Sequence, residues 1–319
     1  MKSPHKIMFS TTLIMSTMMM TTSSSWITTW MYLEINMLSF IPLIMVNETT
    51  NESEATVKYL IPQSLASTMF IISSLTTYQA PEISFLMTAA LLLKLGAAPF
   101  HLWFPPVMNS ITMMPALILL TWQKIAPLFA LLSMKELNQQ TLTIIAPITA
   151  MWGSLMGVNQ TDIRSILTYS SIAHLGWMMA AIQSPNFILP MYTITYIFLT
   201  ASIFITITHP TIKATTQFSI NNLNPNLLKL TSISILSLAG LPPMTGFILK
   251  LTIIMHSTMN STVILILILS AIISLFFYLN MFISSSLAMK SHHLKQMKKK
   301  LSMFLLCQTI PLPLLTLTL

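Results

Sequence analysis

The sequence predicts an all-α polytopic membrane protein of about eleven transmembrane helices, and three observations carry that reading. Of 319 residues, 54% are hydrophobic and only 7% charged. A soluble domain carries about 25% charged residues, so this chain has too few to cover a water-facing surface. Apolar stretches of roughly 15–25 residues recur between polar or proline-containing clusters, each long enough to cross a hydrocarbon core of about 30 Å. The basic residues outside those stretches fall almost wholly on one side when the loops are assigned alternately to the two faces.

Taken in order, the stretches lie near 7–22, 26–46, 56–77, 83–105, 111–133, 141–158, 162–182, 186–208, 228–258, 261–288 and 301–319. The fourth and ninth are interrupted by Gly and Pro. The N-terminus, MKSPHKIMFSTTLIMSTMMM, has the basic start and apolar run of a signal peptide. It lacks a small-x-small cleavage site and more apolar stretches follow at once, so it reads as a retained first helix. No polar stretch exceeds about twenty residues, which predicts a single transmembrane domain over 1–319 with no extramembrane domain.

Loop charge tests the count. One side receives Lys2, Lys6, Lys58, Arg164, Lys213, Lys229, Lys290, Lys295, Lys298, Lys299 and Lys300, and the other only Lys135. Miscounting one span would mix the two sides. The rule that positive loops stay inside then sets the N-terminus on the inner face and the C-terminus outside. The acidic loop Asn47–Glu54 falls inside as well, where Asp and Glu hardly influence orientation. Sequons occur at Asn47, Asn51, Asn159 and Asn260. The first three face inward in this topology, and no glycosylation is expected.

Composition also excludes several functions. The net charge of +8 does not point to nucleic acid, because the basic residues are not interleaved with exposed aromatics and crowd into Lys290–Lys300. That is a membrane-edge placement. The single cysteine, Cys307, rules out internal disulfides and a four-cysteine iron–sulfur site. The absence of G-x-G-x-x-G removes the usual dinucleotide fingerprint. The 27 methionines follow no fixed spacing and stand where Leu or Ile would, so they are apolar filling rather than copper ligands.

Charged groups inside the apolar stretches carry the functional signal. Lys94 sits in LLLKLGAAPFHLWFPPV and Lys124 in MMPALILLTWQK. A lysine near the bilayer centre costs roughly 2.5–3.5 kcal/mol on insertion scales. Snorkelling to the interface fails on distance, since about a dozen mostly apolar residues, or roughly 18 Å of helix, flank Lys124 on each side. Glu34 lies in WMYLEINMLSFIPL; an unpaired carboxylate there carries a large desolvation cost that a lysine on a neighbouring helix would offset. A purely structural ion pair is the plainer alternative. Gly96, Ala97, Ala98 and Pro99 break the helix beside Lys94, and Gly240, Pro242, Pro243 and Gly246 break a second one before Lys250. Backbone groups freed at such breaks need protein or a water-lined cavity. Paired interrupted segments five spans apart match inverted five-helix repeats and mark a transport path. This predicts repeat one over about 7–133, repeat two over about 141–288 and a terminal helix over 301–319. His174, in TYSSIAHLGWMM, and His101, just after the first break, are candidate proton relays, because imidazole titrates near neutrality. Either could equally be a hydrogen-bonded packing residue. His292 and His293 fall in the basic loop and are read as solvated.

The segments WMYLEINMLSFIPL, LLLKLGAAPFHLWFP, TWQKIAP, NQTDIRSILTYSSIAHLGW and LAGLPPMTGF, in this order from about Trp30 to Lys250, resemble the chain 2 family of NADH–ubiquinone oxidoreductase. Members of that family are mitochondrially encoded, antiporter-like subunits of respiratory complex I. The resemblance implies an antiporter-like fold that in animals has lost three N-terminal helices, and a location in the mitochondrial inner membrane with the N-terminus in the matrix and the C-terminus in the intermembrane space. By the same resemblance Glu34 is the paired acid, Lys94 its partner, Lys124 the central lysine and Lys250 the exit-side lysine of a proton path. Two positions depart from the family pattern. Pro106 stands where an acidic residue is common, so no acidic role carries over there, and Leu249 stands where Pro often precedes the last lysine. The implied activity is proton translocation as a subunit of the H+-translocating NADH:ubiquinone reductase. NADH, FMN, iron–sulfur clusters and ubiquinone would be held by partner subunits and none by this chain. The implied partners are other membrane-arm subunits, neighbouring antiporter-like subunits among them, and phospholipids such as cardiolipin, with no nucleic acid. A stand-alone cation/proton antiporter would use the same charged residues, and a scaffold with vestigial lysines is the third reading.

Overall fold

The computed structural model of the chain describes residues 4–47, 49–76, 84–134, 139–208, 225–242 and 244–290. Among these residues every regular element is a helix. The stretch near 301–319 with Cys307 lies outside them, as do Lys2, Glu82, Lys135, Glu136, Lys213, Pro243 and the segment 291–300 with its lysines and histidines.

The helices are α1 (Pro4–Thr22), α2 (Trp26–Ile44), α3 (Thr50–Thr76), α4 (Ser84–Leu95), α5 (Phe104–Ser110), α6 (Met113–Leu120), α7 (Trp122–Ser133), α8 (Gln139–Gly157), α9 (Ile163–Ile182), α10 (Ile188–Thr208), α11 (Pro225–Ala239), α12 (Thr245–His256) and α13 (Ser261–Lys290). Four stretches, Trp26–Ile44, Met113–Ser133, Ile188–Ile205 and Ser261–Ser286, are long and apolar enough to cross a membrane. Phe85–Leu95, Lys229–Ala239 and Thr245–His256 are shorter apolar helices, and all three flank a break. The protein is membrane-embedded and helical.

Two boundaries differ from the sequence reading. Helix α3 starts at Thr50, inside the segment read as an acidic loop. Thr49 Oγ1 accepts from the Glu52 backbone N–H at 3.4 Å while the Glu52 carboxylate accepts from the Asn47 N–H at 2.8 Å. This is a variant of the capping box, in which a threonine hydroxyl and an acid each accept from one backbone N–H at the helix start. Glu52 is consequently buried at 1% exposure rather than solvated. The stretch near 111–133 is split into α6 and α7 at Thr121. Thr121 Oγ1 donates to the Leu117 carbonyl at 2.6 Å, and Lys124 N–H closes a tight bond to Thr121 O at 3.3 Å. A threonine bonding back to the preceding turn bends a helix, and Pro127 just below removes a further backbone donor.

The chain divides into two compact units, Met1–Ile145 and Ala146–Leu319. In the first, α1 and α2 form a hairpin whose turn is stabilised by Ser25 at the α2 N-cap. Helix α3 lies against α2, α4 and α5, while α7 lies against α1, α2, α4 and α6. In the second, α9 is the central helix, with all residues but Arg164 and Tyr169 buried. It is apolar or small on all sides, as burial on every face requires. It contacts α10, α12 and α13, while α11 packs on α10, α12 and α13. Helix α8 approaches α9 through small residues. A Cβ on Gly176 would sit 2.6 Å from both Ala150 Cβ and Ala150 N, and one on Gly153 would fall on the Ala173 backbone. Small residues are what bring helix backbones together inside a membrane.

Candidate functional site

Both breaks are built the same way, and the reason lies in one glycine each. Gly96 has φ +68° and Gly240 φ +81°, the left-handed region that residues with a Cβ rarely adopt. At the first break Ala97 N–H reaches back to Leu92 O at 3.0 Å and Gly96 N–H to Leu93 O at 3.2 Å. At the second, Leu241 N–H reaches Leu236 O at 3.4 Å and Gly240 N–H reaches Ser237 O at 3.2 Å. Both are Schellman caps, which absorb part of the carbonyl surplus of a helix end.

Side chains satisfy further carbonyls. At the end of α4, Gln63 Nε2 of α3 donates to Lys94 O at 3.0 Å and Trp103 Nε1 donates to Leu93 O at 3.2 Å. At the end of α11, Lys250 Nζ donates to Ala239 O at 3.2 Å. Leaving such a carbonyl without a donor costs about 1–3 kcal/mol, and more in hydrocarbon. The close approach of α12 to α11 that places Lys250 there requires Gly246, since a Cβ at that position would overlap Ser237 O.

The three lysines are buried: Lys94 at 7% exposure, Lys124 at 4% and Lys250 at 7%. In the first unit Lys94 and Lys124 line one cavity of about 20 Å³ together with Asn36, Gln63, Gln123 and Tyr59. Room for one water begins at roughly 10–15 Å³ on this measure, and the wall offers several polar partners. Gln123 Nε2 donates to Asn36 Oδ1 at 3.0 Å, tying α7 to α2. The Lys124 ammonium lies 5.5 Å from the centre of the Phe104 ring, within cation–π range. Phe104 is held by edge-on contact with Trp103, which in turn meets Tyr59. The loop that follows the break therefore sets the position of the aromatic face under Lys124.

Glu34 is half-buried and does not line this cavity. Its carboxylate is within electrostatic reach of Lys94 and Tyr59. It makes no ion pair with Lys94 inside 4.0 Å, unlike Lys58 and Glu54, which form an exposed pair at 3.1 Å. Neither Glu34 Oε2 nor Lys94 Nζ has a hydrogen-bond partner. His101 is buried in the turn between α4 and α5, away from the cavity wall.

In the second unit Lys250 Nζ lies 5.7 Å from the Trp177 ring centre. Trp177 is one turn along α9 from His174. His174 sits among tyrosines: Nδ1 is 2.8 Å from Tyr192 Oη of α10, and Nε2 is 3.3 Å from Tyr278 Oη of α13. The Tyr196 ring is 5.2 Å away, centre to centre.

Sequence reasoning singled out the charged groups and missed the neutral ones that surround them, namely Asn36, Gln63, Gln123, Tyr192 and Tyr278. A usable signal was present. An amide in the middle of an apolar helix needs a partner as surely as a charge does, and Asn36, Gln63 and Gln123 each stand in an otherwise apolar stretch.

With this geometry in place, comparison with known proteins is informative. The family described as NADH:quinone oxidoreductase/Mrp antiporter, transmembrane, matches residues 23–82 and 79–277. NADH-ubiquinone oxidoreductase chain 2 of Lumbricus terrestris is 39% identical over 294 residues, spanning 89% of this chain and 88% of the relative. The protein of the same name from Crocidura suaveolens gueldenstaedtii is 38% identical over 299 residues, spanning 89% and 86%. A chain of respiratory complex I from Thermus thermophilus has the same fold, with a TM-score of 0.82 at 23% identity, covering 89% of this chain and 71% of that one. The chain therefore belongs to the NADH-ubiquinone oxidoreductase chain 2 family.

Proposed function

We propose that the chain is a proton-translocating membrane-arm subunit of the H+-translocating NADH:ubiquinone oxidoreductase, respiratory complex I. The observation that carries the reading is the cavity shared by Lys94 and Lys124, which puts two buried bases and room for one water inside apolar helices. Lys124 takes up a proton from the inner side. A change in the interaction of Glu34 with Lys94, two groups within electrostatic reach but not in ion-pair contact, alters the charge beside that cavity and moves the proton on. Lys250 delivers it outward, and His174 and His101 act as relays. The redox chemistry, with NADH, FMN, iron–sulfur clusters and ubiquinone, belongs to partner subunits.

Eleven membrane spans in two inverted five-helix repeats, about 7–133 and 141–288, with a terminal helix, fit the recurrence of one Schellman-capped break in each half. The location is the mitochondrial inner membrane, with neighbouring antiporter-like subunits and phospholipids such as cardiolipin as partners. The N-terminus faces the matrix and the C-terminus the intermembrane space, because the loop lysines concentrate on one side. Side-specific labelling checks this: the segment 291–300 and Leu319 must label from opposite faces, and labelling of both from one face would overturn it.

Solubilisation in mild detergent tests the functional reading against a stand-alone cation/proton antiporter. The reading requires the chain to co-migrate with a very large NADH-oxidising assembly. A chain that migrates alone and exchanges cations for protons without NADH would replace it.

A further inference from the structure

We propose that Tyr192 and Tyr278 are relay residues that, with His174, form a Tyr–His–Tyr proton chain joining the second helix break to α13. The inference rests on the reading that this subunit carries protons, and extends it to two residues whose side chains are otherwise unassigned. A tyrosine hydroxyl faces each ring nitrogen, at 2.8 Å for Nδ1 and 3.3 Å for Nε2. All three side chains are buried, Tyr278 at 1% exposure, Tyr192 at 2% and His174 at 6%.

A neutral imidazole has one N–H donor and one bare nitrogen. Flanked by two hydroxyls, it accepts from one and donates to the other in either tautomer. A proton taken up at Nδ1 from Tyr192 can therefore leave from Nε2 toward Tyr278. A hydroxyl on each ring nitrogen is the arrangement that lets an imidazole take a proton at one side and release it at the other.

The chain has an entrance. Tyr192 and His174 border a small cavity of about 10 Å³ with Ser237 of α11 and Gly246 and Leu249 of α12. These are residues of the break that holds Lys250. This is at the lower limit for one water. In the transfer, a proton from that cavity joins Tyr192 Oη as the Tyr192 hydroxyl proton moves to His174 Nδ1. The imidazolium then passes its Nε2 proton to Tyr278 Oη, which releases its own hydroxyl proton to a water molecule as acceptor. One proton enters, one leaves, and no other bond changes. Rotation of the two hydroxyls and return of the imidazole to its first tautomer reset the path.

Tyr192→Phe and Tyr278→Phe remove one oxygen each and keep the ring that packs. In the intact complex reconstituted into liposomes, each change is expected to slow proton translocation by about 10²-fold, at the lower end of what a positioned proton-transfer group supplies. Both should change the H₂O/D₂O ratio of translocation, and the double variant should be no slower than the slower single one, because the groups act in series. If Tyr278→Phe does not assemble, Tyr192→Phe alone carries the test. Wild-type translocation with a wild-type isotope ratio in the assembled Phe variants would overturn the chain and leave the tyrosines as packing. Lys124→Ala measured alongside separates the two levels of the argument. Loss of translocation there with normal Phe variants rejects only the relay, whereas normal translocation in Lys124→Ala rejects the proton-carrying reading beneath it.

Discussion

Lys250 Nζ donates to the carbonyl oxygen of Ala239 at 3.2 Å, so the lysine on α12 satisfies the last carbonyl of the helix that precedes it. The first break reaches the same end by the reverse route. There Lys94 is on the helix that stops, and its carbonyl is satisfied by Gln63 of α3. In both cases a buried lysine is bound up with the end of a broken helix. The surplus carbonyls of such an end form the negative pole of the helix, which favours a cation beside it. A neutral amine keeps N–H donors, so the Lys250 contact to Ala239 survives loss of the proton. The break is therefore a place where a lysine can hold or release a proton without leaving a carbonyl orphaned.

Substitution of Lys250 should separate the structural duty from the titrating one. Lys250→Met leaves Ala239 O without its donor, a loss of about 1–3 kcal/mol, and should lower both assembly and proton translocation. Lys250→Arg retains donor and charge but cannot release a proton at any working pH. It is expected to assemble near the wild-type level and to translocate little, read by native electrophoresis beside proton uptake per NADH oxidised. An arginine variant that translocates normally would show that Lys250 does not titrate during the cycle.

Gly240→Ala should be more damaging than Gly96→Ala. Both glycines have positive φ, where a Cβ costs about 1–2 kcal/mol. At Gly240 the added carbon would also meet Lys250 Nζ at 3.1 Å, whereas at Gly96 the nearest atoms are Phe104 Cβ and Trp103 Cζ2 at 3.4 Å. Thermal inactivation of the assembled complex should rank wild type, Gly96→Ala and Gly240→Ala in that order, with translocation lost first at Gly240. The opposite ranking would mean that the Lys250 position is not set by this contact.

How much of this was legible beforehand depends on what each residue does. Lys94, Lys124, Lys250 and Glu34 announce themselves because charge in an apolar helix is costly wherever it points. The breaks are legible because Gly and Pro act through their own backbones. The start of α3 was misjudged, since the Thr49/Glu52 cap turned an apparent acidic loop into a buried first turn. The interruption at Thr121 was missed because a threonine bonding its own helix leaves no mark in hydropathy. The cavity partners were the least legible. Gln63 and Asn36 read as isolated polar residues, and only packing decides that one reaches the Lys94 carbonyl and the other Gln123. The expected Glu34–Lys94 pairing is a matter of side-chain distance, which spacing along the chain does not set.

Glu34 and Lys94 should nevertheless behave as one unit in function. They lie outside ion-pair contact but within electrostatic reach, and Lys94 borders the cavity that also holds Lys124. Glu34→Gln and Lys94→Met should each impair translocation, and the double variant should be little worse than the worse single one. A double-mutant cycle on proton-transfer rate in reconstituted complex measures the coupling. Independent, additive losses would assign Glu34 a separate role.

Gln63→Leu removes the donor to Lys94 O and one polar wall of the cavity at nearly the same volume. The expected result is a loss of about 1–3 kcal/mol in stability together with slower translocation. Gln63→Glu offers no comparable N–H donor and should not restore the stability, whereas Gln63→His, with a ring N–H, should restore part of it. Equal stability for the Leu variant and wild type in a thermal melt of the purified complex would show that the Lys94 carbonyl finds another donor.

The most direct test is the number of protons moved per NADH oxidised by assembled complex carrying Lys124→Ala. Lys124 is 4% exposed and inside an apolar helix, so its removal relieves an insertion cost of a few kcal/mol and should not hinder assembly. If Lys124 is the base that loads the proton, the assembled variant will move fewer protons per NADH than wild type, or will stop turning over altogether. An assembled Lys124→Ala complex that oxidises NADH and moves protons at the wild-type ratio would contradict the account.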